Sequence, residues 1–146
     1  MLLERIEIGS IVPRDLADAA RRSEGSGASY LDIEESAGPR RARWNVTLHA
    51  ERVVAITYWS GGSFEDLATD FDAIERVVAS RYGVPSSSQP DDDAQRFVEL
   101  EAQGLPCDRY WILRTRSWER PVRASLTLAK VWPADLELNL RIDELT

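Results

Sequence analysis

The stretch SFEDLATDFDAIERVVASRYGVP, Ser63 to Pro85, decides the fold. Ser63 is a helix N-cap, and Asp66 follows three residues later, as a capping box requires. Phe64, Leu67, Phe71, Ile74, Val78 and Tyr82 recur at threes and fours, which puts them on one apolar stripe of a helix. Glu65, Asp66, Asp70 and Asp72 crowd the start, and Arg76 and Arg81 sit near the end, so the charges complement the helix dipole. Gly83 and Pro85 stop the helix. One long surface helix is predicted, with strand-like sequence on both sides.

Outward from this helix, strands dominate. Upstream, Trp44, Val46 and Leu48 alternate with Arg43, Asn45, Thr47 and His49, the pattern of a half-buried strand. After a tight turn near Ala50 and Glu51, residues 53 to 59 are apolar on both parities. That predicts a central strand, covered on both faces or capped by a partner. Downstream, residues 110 to 115 read as a strand. Val122, Ala124, Leu126 and Leu128 then alternate with polar residues, and Leu136, Leu138, Leu140 and Ile142 give the cleanest alternation of all. Nearer the start, residues 2 to 8 and 30 to 35 read as strands. Pro13 opens a short helix to about Arg22, with Leu16, Ala19 and Ala20 inward, and residues 23 to 28 read as a Gly/Ser loop. Residues 86 to 93 are the most loop-like, and 94 to 103 read as a short helix or a strand.

There are too few helices for a crossover between each pair of strands. The expected fold is therefore α+β: a mainly antiparallel sheet of about six to seven strands, with one long and one or two short helices on one face. Trp44, Val46, Leu48, Leu126, Leu128, Leu138 and Leu140 should share a core with Phe71, Ile74 and Val78. The 146 residues suit a single domain, 1–146. A weak echo divides it into similar halves, 1–60 and 61–146: Tyr30, Arg40, Arg43, Thr47 and Leu48 recur as Tyr110, Arg120, Arg123, Thr127 and Leu128.

The net charge of -7 disfavours nonspecific binding to nucleic acid or anionic membrane, since both need a positive field. Lys130 is the only lysine, which codon bias in a GC-rich genome explains as simply as arginine chemistry does. No leader pattern and no membrane-length apolar run is present, so a cytoplasmic protein is expected. Cys107 is the sole cysteine and His49 the sole histidine. Together they are too few for a closed soft-ligand zinc site, and Asp91, Asp92 and Asp93 lack the surroundings of a calcium loop. Cys107 has no neighbour that would make it a thiolate, and His49 reads as a solvated strand-end residue. Ser60-Gly61-Gly62-Ser63 precedes a helix as a phosphate loop does, but lacks the lysine and the spacing, and Glu65 and Asp66 would repel an anion. The match of Asn45-Val46-Thr47 to a glycosylation acceptor is read as chance. No catalytic residue, cofactor or metal is expected.

Arg41, Arg43, Arg123 and Arg141 fall on polar strand parities with Asn45, Thr47, Ser125, Thr127 and Asn139. If these faces coincide, the sheet carries an arginine-bearing surface fit for single-stranded nucleic acid or a carboxylate, unless Glu137 and Asp143 on the same face pair with the arginines. Of the five tryptophans, Trp44 belongs to the core parity, and Trp59 and Trp118 are the candidates for a contact surface. The expected function is a non-catalytic, acidic protein-binding module. In charge, size and tryptophan content it resembles immunity proteins, dedicated chaperones and adaptors. Its partner would present a basic surface to Glu65, Asp66, Asp70, Asp72, Asp91, Asp92 and Asp93, with Trp59 and Trp118 as further contacts. The alternative is a small-molecule-binding domain or minor enzyme using a hollow between sheet and helix, with His49 or an arginine at its mouth.

Overall fold

A computed structural model describes residues 1–37, 40–88, 99, 102–103, 111–131 and 135–145. The long helix forms as the sequence predicts. α2 spans Phe64–Tyr82, Ser63 Oγ accepts from the Asp66 N–H at 3.2 Å, and the Gly83 N–H closes the last turn on Ala79 O at 2.8 Å. Leu67, Phe71, Ile74 and Val78 are its buried residues.

The strands are β1 (Arg21–Gly25), β2 (Ala28–Ala37), β3 (Arg40–His49), β4 (Arg52–Gly61), β5 (Ser87–Ser88), β6 (Trp111–Trp118), β7 (Val122–Val131) and β8 (Asp135–Glu144). They form one antiparallel sheet of eight strands in the order β1-β2-β3-β4-β8-β7-β6-β5. Six to seven strands were expected, and β1 and β5 are the two that the sequence reading lacks. Every residue of β1 is exposed, so Arg21 to Gly25 carries no apolar alternation, and the sequence reads it as the end of a helix followed by loop. It is a strand because Ser26 and Gly27, both at positive φ (51° and 77°), make a two-residue hairpin turn of the kind that matches strand twist. Ala50 and Glu51 make the equivalent turn between β3 and β4 at φ 51° and 64°.

Three further expectations change. Residues 2 to 8 do not form a strand: Leu2–Arg5 is a 3-10 turn. Leu2, Leu3 and Ile6 are all buried, a spacing that departs from strand alternation. The short helix α1 ends earlier, spanning Arg14–Ala19, with Leu16 and Ala20 packed partly against the core while Ala19 is exposed. Residues 86 to 93 are not all loop, since Ser87–Ser88 pair with β6. In segment 94–103, which otherwise lies outside the described residues, Gln103 N–H donates to Glu99 O.

The core lies between α2 and the inner face of the sheet. Trp44, Val46, Leu48, Leu126, Leu128, Leu138 and Leu140 all pack in one cluster with Phe71, Ile74 and Val78. At the edge of this layer, Arg114 and Arg116 of β6 reach over the Phe71 ring, 4.8 and 5.4 Å from its centroid. They pair with Asp72 and Glu75 of α2 at 2.8 and 3.2 Å. Order along the sheet reads symmetrically from either edge, with β4 and β8 in the middle. The echoed residues Arg43, Thr47 and Leu48 lie on β3, and Arg123, Thr127 and Leu128 lie on β7, which are mirror positions in that order. Arg120 lies in the turn before β7, and Tyr110 lies outside the described residues.

Candidate functional site

The site is the face of the sheet turned away from α2. In an antiparallel sheet, residues directly across from one another point to the same face. Arg43, Trp59, Asn139 and Thr127 stand in one line across β3, β4, β8 and β7. Asn45, Thr57, Arg141 and Ser125 form the adjacent line. The polar parities of four strands therefore do coincide. They enclose a shallow recess of about 460 Å³, with these residues as its lining.

Trp59 forms an aromatic wall at one end of the recess. It is 40% exposed, and its indole leans along its own strand over Gly61. A Cβ at position 61 would meet Cη2 and Cζ2 of the indole at 3.3 and 3.5 Å, so a side chain there would push the ring outward by a few tenths of an ångström. This outward tryptophan is why residues 53 to 59 looked apolar on both parities. A register shift between Thr47 and Leu48 of β3 breaks the alternation opposite Val53 to Ala55, so Val53, Ile56 and Tyr58 are buried, whereas Ala55 and Thr57 are half-buried and Trp59 is exposed.

The polar rim is held in place by carboxylates. Arg141 donates from Nε and Nη2 to Asp143 at 2.7 and 3.2 Å, which holds the guanidinium above its ordinary pKa. Arg43 Nη2 lies 3.2 Å from Glu34, and Asn45 Nδ2 donates to Asp32 at 2.7 Å. Arg21 stands opposite Asp32 in the β1–β2 register. Glu137 accepts from Asn139 Nδ2 at 3.4 Å, and among the described residues it pairs with no arginine. The pairing that the sequence left open is thus realised for Arg141 with Asp143. Arg41 pairs with Gly61 in the backbone register, and Arg123 stands opposite Asp143.

The other expected site residues lie elsewhere and do not converge on this face. Trp118 is 1% exposed, and its Nε1–H donates to Gly83 O at 2.9 Å, so it is a core filler and offers no contact surface. Its position at a strand end gave no clue to that, because the helix terminus it anchors is distant in sequence. Glu65 and Asp66 are exposed at the start of α2, and Asp70 is half-buried. Asp72 is committed to Arg114, and Asp66 and Asp70 are engaged as well, which leaves the acidic patch less open than its sequence suggests. Asp91, Asp92, Asp93 and Cys107 lie outside the described residues. His49 is exposed at the end of β3, opposite Arg52. The layer between sheet and helix, where the alternative reading put a hollow, is occupied by Phe71, Ile74, Leu126, Leu128 and Leu138, each at 1% exposure or less. Among the described residues, no cluster of His, Cys, Asp and Glu is placed to hold a metal, and no helix is long and apolar enough to cross a membrane. The chain matches no protein-family model, no curated protein and no solved structure.

Proposed function

We propose that this protein is a non-catalytic binding module whose contact surface is the open sheet face centred on Trp59. The observation that carries the reading is a 40% exposed indole in a concave polar surface, in line with Arg43 and Asn139. Tryptophan and arginine dominate binding energy where interfaces have been dissected. A second reading keeps the basic protein partner, of the kind an immunity protein, chaperone or adaptor would hold. It rests on Glu65 and Asp66, exposed at the first turn of α2 in a chain of net charge -7. That field would speed encounter with a cation-rich surface and make it salt-sensitive.

The test compares immobilised wild-type protein with Trp59→Ala and with the double reversal Asp66→Lys, Asp70→Lys, each checked for fold by circular dichroism. Loss of the retained ligand with Trp59→Ala alone supports the sheet face. Loss with the charge reversal alone, with Trp59→Ala unaffected, refutes the sheet-face reading and supports the second.

A further inference from the structure

We infer that the open sheet face is a saccharide site, which takes a neutral pyranose ring flat against the Trp59 indole. The inference rests on the sheet-face reading above and names the ligand's chemistry.

Three features of the recess select that class. The first is its aromatic wall. The indole lies over Gly61 with a broad apolar surface turned to solvent. A pyranose gathers C–H groups on one face of its ring, and those carry partial positive charge suited to the negative face of an aromatic system.

The second is the rim. Asn45, Asn139, Arg141, Thr57, Ser125 and Thr127 set carboxamides, a guanidinium and hydroxyls to one side of the indole. Asn45 and Asn139 each use Nδ2 on a neighbouring carboxylate, which fixes the amide plane. Their Oδ1 atoms remain acceptors, and Arg141 keeps donors on Nη1, among the contacts of the described residues. A ring of hydroxyls, each both donor and acceptor, matches such a mixed rim.

The third is charge. Arg141 is paired with Asp143, Arg43 with Glu34, and Arg21 stands opposite Asp32. An anionic ligand would have to displace a carboxylate already in place, and a cation would have to displace a guanidinium. Single-stranded nucleic acid needs a positive groove, which this compensated face within a chain of -7 does not supply. The recess, about 460 Å³, falls in the small-ligand range of about 300–1,000 Å³.

The experiment screens the whole chain on an array of neutral, sialylated and sulfated glycans. It then titrates maltose, cellobiose and the best neutral glycan while following the five indole N–H signals in proton–nitrogen correlation spectra, with the Trp59 signal assigned from Trp59→Phe. Retention of a neutral glycan is expected, with the Trp59 signal shifting most. Trp59→Ala should weaken binding at least about tenfold, and Trp59→Phe, which keeps a flat ring, less. Asn139→Ala should weaken binding as well, with Trp59 still in place. No neutral glycan bound, binding to charged glycans alone, or binding indifferent to Trp59→Ala would each overturn the inference. If glycans fail but wild-type protein retains a protein ligand that Trp59→Ala loses, the saccharide inference falls and the sheet-face reading stands. If Trp59→Ala loses nothing in either assay, both fall.

Discussion

Truncating Leu138 to alanine should cost this protein about 3–5 kcal/mol, a large part of the stability of a domain this size. Leu138 is fully buried on β8, flanked by Ser60 of β4 and Leu128 of β7, which are also at 0% exposure. The substitution removes three carbons, worth about 2.4 kcal/mol of transfer free energy at about 0.8 kcal/mol each. The remainder is the void. β8 is hydrogen-bonded to a strand on either side, so the backbone around position 138 cannot move in to fill it. Urea unfolding followed by far-ultraviolet circular dichroism would measure the loss as a lowered midpoint with an unchanged slope. Ile112→Ala is the control: Ile112 is 38% exposed, and the change should stay within about 1 kcal/mol. A loss below about 1 kcal/mol at Leu138, or equal losses at the two sites, would refute the placement of the core between β8 and α2.

Three more outcomes are expected. Ser60 is fully buried and its hydroxyl has no hydrogen-bond partner among the described residues, so Ser60→Ala should be neutral or stabilising by up to about 1 kcal/mol in the same assay; a clear loss would show that the hydroxyl is satisfied. Trp118→Phe should cost about 1–3 kcal/mol by leaving the Gly83 carbonyl without its indole donor, whereas Trp59→Phe, on the open face, should stay within about 0.5 kcal/mol. Hydrogen bonds from Arg22, at 2.8 Å to Glu24 and 2.7 Å to Glu51, hold both carboxyls below their usual range. The unfolded chain therefore binds protons first as pH falls, so this cluster's contribution is present above the ordinary glutamate pKa and lost as pH drops through the lowered folded values. Arg22→Gln should flatten the acid side of the stability–pH curve, by a small amount because all three groups are exposed.

By itself the sequence determined α2 and the strands that alternate. Ser63, the Phe71–Ile74–Val78 stripe and Gly83 specify a helix through contacts a few residues apart, and Leu136, Leu138, Leu140 and Ile142 specify a strand because side chains on a strand alternate between faces. These are local effects, and a chain states them in its own order. β1 was illegible for the same reason. Its side chains are all exposed, so no periodicity records it, and it exists through its pairing with β2.

What only the tertiary structure decided was which polar residues meet. Arg43, Asn45, Trp59, Asn139 and Arg141 come from three strands, and nothing in their spacing brings them to one recess. The pairing of β4 with β8 does, by setting residues 59 and 139 side by side across 80 positions of chain. The two surface tryptophans of the sequence reading were separated in the same way. Both sit near the ends of strands, yet Trp118 turns inward and meets Gly83 at the end of α2, while Trp59 turns outward over Gly61. Parity fixes two alternating sides of a strand. Which side is the core follows from where the helix packs, and that depends on contacts distant in sequence.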